Sequence, residues 1–531
     1  MRYLPLLPLL ALLPAISVCA CPPSLIGEAD VPTLQAEMAQ GCLSAHVLTA
    51  HYLERIEAID RRGPQLDAVI EVNPDALAIA DRLDRERAEG RLRGPLHGIP
   101  VLLKDNIDTA DRLHTSAGSL ALAQSIAPAD AFLVKRLRDA GAVILGKANL
   151  SEWANFRSAH SSSGWSGRGG QTRNPYAPER SPCGSSSGSA VAVSANLSAL
   201  AVGSETDGSI VCPASVNGIV GLKPTVGLIS RNGIIPISFS QDTAGPMART
   251  VTDAAILLNV LAGSDTGDPA TQAAAGHIPG DYRRYLQAAG LKGARIGVAR
   301  KLAGFSPPTD VVFDQAIATL KAAGATIVDP ADIATQGQFD DDELTVLLYE
   351  FKYGINRYLR GLGSGSPVKS LGDLIAFNQR EAGREMAWFG QDLFLQAQAK
   401  GGLDSAEYLL ARQKSLRLAG HDGIDATLAK YRIDAIVAPT AGPAWTIDLV
   451  NGDHISGGGA SSAAAVAGYP HITVPAGFVH GLPVGLSFIG TAWSEPLLLR
   501  LAYAYEQASK ARRPPDLATA SRAPPAALSS P

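Results

Sequence analysis

"GSSSGSAVAVSANLSALAV", residues 184–202, decides the reading of the fold. A glycine and serine loop opens "SAVAVSANL" (189–197), a helix of small apolar side chains for which a serine serves as N-cap, and "ALAV" (199–202) follows at once as a short buried strand. Similar short apolar runs recur as "IPVLL" (99–103), "AVIL" (142–145), "RIGVA" (295–299), "ATIV" (325–328), "IDAIVA" (433–438), "HITVPA" (471–476) and "VGLSFIG" (484–490). Helical spacing of Leu, Ile and Ala separates several of them and fills 31–61 and 74–90. Strands alternating with helices predict an α/β sheet covered on both faces.

The rest of the chain fits a large globular enzyme. Of its 531 residues 46% are hydrophobic and 18% charged, which excludes a disordered or fibrous chain. The net charge is -4, and "RLDRERAEGRLR" (82–93) interleaves both signs as a solvated helix does, so no nucleic-acid partner is expected. Residues 1–20 have the apolar run and the Val18-Cys19-Ala20 pattern of a cleaved leader, and Pro5, Pro8 and Pro14 argue against a membrane span. Export to the periplasm or medium is therefore expected, with Cys21 left first as a possible lipid anchor. The five cysteines contain no C-x-x-C pair and two lie in the leader region, so the mature chain is not read as a disulfide scaffold. The ten histidines show no H-E-x-x-H or clustered ligand spacing, and neither metal nor cofactor is expected. Residues 266–280 read as a connecting loop. Residues 25–511 are assigned to one domain, and the proline-rich segment 512–531 to a disordered tail.

"GSSSG" also satisfies G-x-S-x-G, which raises the question of a nucleophile elbow at Ser186. That motif needs a strand directly before it, whereas "QTRNPYAPERSPC" (171–183) has three prolines and no apolar run, so the context fails. A different chemistry emerges from two further segments. "SETDGSIVCPAS" (204–215) offers successive backbone N–H groups at Thr206, Asp207, Gly208 and Ser209 beside a hydroxyl, the arrangement that stabilises an acyl-transfer oxyanion. "HGIPVLLKDNIDT" (97–109) puts Lys104 at the end of an apolar strand, where a desolvated amine can be neutral and act as a base without histidine.

Together these segments resemble the amidase-signature family of serine hydrolases. The likeness runs from about residue 31 to about 510 and is carried by "GIPVLLKDNIDT", "SPCGSSSGSAVAV", "GSETDGSIVCPASVNGIVGLKPTVGLISRNGIIP" and "AVAGYPHITVPAGFVHGLPVGLSFIG". "SEWANFRS", "SGWSGRGGQTRNPY" and "ISFSQDTAGPMAR" are most similar to the bacterial peptide amidases within it. The resemblance implies a single large mixed β-sheet with helices on both faces, and a Ser-Ser-Lys triad. In it Lys104 is the base, Ser185 the bridging serine after a cis Gly184–Ser185 bond, and Ser209 the nucleophile, with the amides of Thr206, Asp207, Gly208 and Ser209 as the oxyanion hole. Trp153, Asn155 and Phe156 are candidate acyl-pocket residues, while Ser186, Ser187 and Ser189 are assigned loop and capping duty. Cys183 and Ser187 stand where the family usually has glycine, and Asp207 departs from its common Gly-Gly-Ser pattern. The implied substrate is an amidated peptide or small amide. The rival readings are an amidase or esterase for aryl or alkyl substrates and a glutamine-dependent amidotransferase subunit.

Overall fold

The computed structural model describes residues 26–363, 366–455 and 458–517. The expected leader (1–20), Cys21 with its expected anchor and the tail beyond 517 lie outside the described residues.

Thirteen strands run in chain order: β1 (Val69–Val72), β2 (Pro100–Lys104), β3 (Val143–Ala148), β4 (Trp165–Ser166), β5 (Gly170–Gln171), β6 (Leu200–Glu205), β7 (Val220–Lys223), β8 (Thr243–Ala248), β9 (Arg295–Val298), β10 (Thr326–Val328), β11 (Ala435–Pro439), β12 (His471–Val479) and β13 (Leu482–Ile489). Eleven form one sheet in the order β1-β3-β2-β6-β8-β7-β12-β13-β11-β9-β10, and β4 and β5 make a separate two-stranded ribbon. The sheet is mixed: β2 runs parallel to both β3 and β6, and β9 parallel to β10 and β11, whereas β8, β7, β12 and β13 join by antiparallel pairs. Helices flank it on both sides. Every residue of β2, β3 and β6 is buried, as strands covered on both faces must be, which is why they read as continuous apolar runs.

Five strands escaped the sequence reading, the two short ones of the ribbon and three of the main sheet, the latter for local reasons. β1 ("VIEV") and β7 ("VGLK") are four residues long, with Glu71 or Gly221 interrupting the apolar pattern, and β8 ("TAGPMA") holds a glycine and a proline. Proline removes a ladder donor and argues against an interior strand. Here the ladder of β8 with β7 covers only Ala248 and Met247, so Pro246 sits where pairing on that side has ended.

The helix opened by the serine loop spans Ser187–Ser194, and all eight of its residues are buried. Its side chains are all small, serines and alanines with two valines, and this lets it press close to its neighbours. At Gly188 an added Cβ would lie 2.2 Å from the Ala68 carbonyl oxygen and 2.5 Å from that of Asn149. The loop 266–280 is a connector with a short 3-10 turn, Pro269–Ala274. Among the described residues no helix is long and apolar enough to cross a membrane. The first residues assigned to the tail are docked: Arg512 donates to the Gly218 carbonyl at 2.7 Å and pairs with Glu28 at 2.9 Å, and the Tyr176 hydroxyl donates to the Arg513 carbonyl at 2.5 Å.

The packing makes a simple contrast measurable. Leu102 in β2 is fully buried and Leu92 is 58% exposed. Leu102→Ala is expected to cost about 2–5 kcal/mol and to lower the thermal unfolding midpoint by several degrees. Leu92→Ala should stay within about 0.5 kcal/mol of the parent in the same calorimetric scan.

Candidate active site

β2 and β6 lie side by side and parallel, so the chain leaves both at the same edge of the sheet. Lys104 ends β2 and Glu205 ends β6. Lys104 is fully buried, and its Nζ lies 2.7 Å from Ser185 Oγ and 3.0 Å from both the carbonyl oxygen and Oγ of Ser204. Asn106 Nδ2 donates to the same Ser204 Oγ at 2.9 Å. Burial drives the amine from the usual 10.5 to about 7, a fall that the carboxylates of Glu205 and Asp242 resist.

Ser185 follows a cis Gly184–Ser185 peptide bond. Its carbonyl accepts from Ser151 N at 3.1 Å. Gly184 is hemmed in, since an added Cβ would meet Ser151 Oγ at 2.2 Å, Ser163 Oγ at 3.1 Å and Asn155 Nδ2 at 3.3 Å. The neighbouring serines fasten the segment. Ser186 Oγ donates to the Ser204 carbonyl at 3.0 Å and accepts from Ser204 N at 3.2 Å; Ser187 Oγ donates to the Cys183 carbonyl at 2.6 Å and Ser189 Oγ to that of Val202 at 3.3 Å.

Ser209 lies in the turn between β6 and the helix Val211–Val216. Its carbonyl accepts from Ser186 N at 3.1 Å, which sets the two serine segments against each other. The turn is shaped from both ends. Glu205 Oε2 accepts from Ile210 N at 2.7 Å and Val211 N at 3.0 Å, while Gly208 takes the left-handed conformation at φ 77° that glycine adopts without strain. Thr206 Oγ1 donates to Asp242 Oδ1 at 2.6 Å, and Asp242 Oδ2 in turn accepts from Ile237 N and Ser238 N, each at 2.9 Å. Burial pushes the Asp207 carboxyl up, and the nearby hydroxyls of Ser461 and Ser462 oppose the shift.

The candidate pocket residues fall into two kinds. Trp153 and Phe156 are packed in an apolar cluster, Trp153 edge-on to Phe394 at 5.9 Å and Phe156 against Phe351 at 5.1 Å. Asn155 Nδ2 donates to Ser163 Oγ at 3.2 Å beside Gly184. Trp153, Ala154 and Asn155 all have positive φ (49°, 55° and 70°), an unusual run for residues with side chains and a pattern that clusters at functional sites. Of this turn it is Ala154 that lines the small cavity between the ends of β2 and β6, with Asn106, Thr206, Ile235 and Asp242.

Sequence reasoning missed Ser204, Asn106 and Asp242 as partners, and it missed a covalent bond. Cys183 and Cys212 form a disulfide with their Cα atoms 6.1 Å apart. A separation of 29 residues carries no pairing signal; the two cysteines meet because helix 187–194 and β6 lead the chain out and back. The histidines near these motifs are occupied elsewhere: His97 Nε2 lies 2.9 Å from the Leu83 carbonyl and His114 Nδ1 2.8 Å from Glu71 Oε1.

A buried, serine-bonded amine beside a tight turn that carries a second serine suits acyl transfer. Comparison with known proteins agrees. A family model described as Amidase matches residues 47–499. The native peptide amidase of Stenotrophomonas maltophilia is 57% identical, with a TM-score of 0.87 over 92% of this chain and 99% of that one. The peptide amidase in complex with the competitive inhibitor chymostatin is 58% identical, with a TM-score of 0.87 and the same coverage. Probable amidase At4g34880 of Arabidopsis thaliana is 45% identical over 499 residues, 92% of each chain.

The Lys104 environment has a consequence for stability. Its folded pKa is depressed, so between about 7 and 10.5 the unfolded chain binds a proton that the folded chain does not. The cost of burying Lys104 is therefore full below about pH 7 and fades as pH rises toward 10.5. Lys104→Met, compared with the parent by denaturant unfolding from pH 6 to 10, is expected to show a weaker rise of stability with pH.

Proposed function

The chain belongs to the amidase-signature family, and from that premise we propose that it hydrolyses the C-terminal carboxamide of peptides, releasing ammonia through an acyl-enzyme on Ser209. The observation that carries the substrate class is the 58% identity to a peptide amidase across 92% of this chain. The contact between Lys104 Nζ and Ser185 Oγ at 2.7 Å supports the mechanism.

In that mechanism Ser209 Oγ attacks the carboxamide carbon. Its proton passes to Ser185, whose own proton passes to the neutral amine of Lys104. A neutral amine has two N–H groups and one lone pair: the N–H groups suit the two oxygens of Ser204, and the lone pair suits the Ser185 hydroxyl. Charge on the tetrahedral oxygen is met by the amides of Thr206, Asp207, Gly208 and Ser209, a donor of this kind being worth about 3–4 kcal/mol in comparable sites. Ser185 returns a proton to the nitrogen as the C–N bond breaks and ammonia leaves. Water then attacks the ester and gives its proton through Ser185 to Lys104; as the second tetrahedral intermediate collapses, the same path returns that proton to Ser209 Oγ, and the free acid departs.

Export is part of the proposal. The leader-like residues 1–20 support it, and so does the Cys183–Cys212 disulfide, since such bonds persist in oxidising compartments. The lipid anchor at Cys21 belongs to the same reading and is tested by radiolabelled fatty-acid incorporation.

Mass spectrometry of a C-terminally amidated peptide should show conversion to the free acid with internal bonds intact, together with stoichiometric ammonia. Ser209→Ala should abolish this while leaving the circular dichroism spectrum unchanged. An untouched peptide amide, alongside rapid hydrolysis of aryl or alkyl amides, would overturn the substrate assignment. The acid limb of kcat should fall near pH 7, because protonated Lys104 has no lone pair to offer. A flat profile from pH 5 to 8 would remove Lys104 as the base.

A further inference from the structure

We propose that the Cys183–Cys212 disulfide is a positioning element of the active site, clamping the segment that carries Ser185 to the helix after Ser209 so that proton relay between the serines runs at full rate only in the oxidised chain. The inference rests on the triad assigned above and adds a covalent constraint to it.

Cys183 precedes Ser185 by two residues, and Cys212 follows Ser209 by three. The bond therefore closes a ring, with ends 29 residues apart in sequence, that contains both serines. Within the ring the chain leaves along helix 187–194 and returns along β6, so each serine sits close to one end of the closure. Besides the disulfide, Ser186 N donates to the Ser209 carbonyl at 3.1 Å and Asn217 Nδ2 to the Pro182 carbonyl at 2.9 Å, while the Ser186 hydroxyl ties the same segment to Ser204 at the end of β6. A proton passes between hydroxyls only at hydrogen-bond distance, and a misplacement of about 1 Å in a catalytic constellation can cost about a hundredfold in rate.

The backbone at Cys183 points the same way. It holds φ at 56°, in the left-handed region where glycine is the unstrained choice. A side chain kept there has to contribute something that glycine does not, and this one contributes the sulfur bonded to Cys212. The bond is packed with Val216, Ala444 and Trp445, with Cys183 5% exposed and Cys212 partly buried. A dithiol would supply two electrons and two protons, break the S–S bond to give thiols at Cys183 and Cys212, and leave as its own disulfide.

The test compares the rate at which a fluorophosphonate labels Ser209, a readout of nucleophile activation that is independent of the natural acyl group, with kcat and KM on an amidated peptide. Cys183→Gly combined with Cys212→Ala suits the left-handed backbone and removes both sulfurs. In the folded double variant, labelling and kcat are expected to fall about tenfold or more while KM stays within about twofold. Labelling at the parent rate, or a change confined to KM, would overturn the proposal. Should the double variant not fold, the parent is titrated with dithiothreitol while Cys183 and Cys212 are followed by alkylation and peptide mapping. Labelling should then fall in step with their reduction and recover on reoxidation; a rate unchanged with both cysteines reduced overturns the clamp. A parent enzyme that labels at Ser209 yet spares peptide amides would refute the substrate reading alone, because the labelling comparison still decides the clamp.

Discussion

The site depends on keeping one primary amine dry. An ammonium buried without a counter-charge is costly, and the protein answers by lowering the affinity of Lys104 for its proton to about 7. Around Nζ stand three oxygens of two serines, and among the described residues it makes no ion pair. A carboxylate at contact distance would restore the charge and remove the base. Glu205 and Asp242 pull in that direction, yet both are committed elsewhere, Glu205 to the amides of Ile210 and Val211 and Asp242 to Thr206, Ile237 and Ser238.

The same carboxylates shape the turn that follows β6. Glu205 draws the start of helix Val211–Val216 back toward the end of β6, and Asp242 fixes Thr206 by its hydroxyl. Lys223, buried at the end of β7 and lowered to about 8, is the cation whose charge favours ionised Glu205. Electrostatics and backbone geometry are thus coupled: the groups that tune Lys104 are also those that hold the turn at 206–209.

Small side chains make this convergence sterically possible. Helix 187–194 is buried on every face and approaches the backbone at Ala68 and Asn149 through Gly188, so Ser185 arrives at Lys104 on a rigid element. Left-handed backbone lies beside it at Trp153, Ala154 and Asn155 and at Cys183, while the remaining serines of the loop are spent on hydrogen bonds that hold the segment in place. Positioning is thereby taken from packing and short local contacts rather than from a large polar network.

The sequence by itself determined the alternation of strands and helices, the lysine at a strand end, the serine-rich helix start and the amide-rich turn, because each is a contiguous stretch whose period or composition speaks for itself. β8 was not legible, since its proline and glycine contradict strand chemistry locally and only the ending of its ladder with β7 makes room for them. Nor could apolar patterning, without the family resemblance, distinguish its lysines. "IPVLLK" and "AVILGK" look alike, and both Lys104 and Lys147 are fully buried, but Lys147 bonds to the Ile107 carbonyl and Thr115 Oγ1 while its charge is supported by Asp105 and Asp108. Only the tertiary structure decided that Lys104 meets Ser185, that Ser204 and Asn106 complete its surroundings, and that Cys183 bonds to Cys212. Neighbours across parallel strands have no fixed spacing along the chain, and burial and distance exist only once the sheet has assembled.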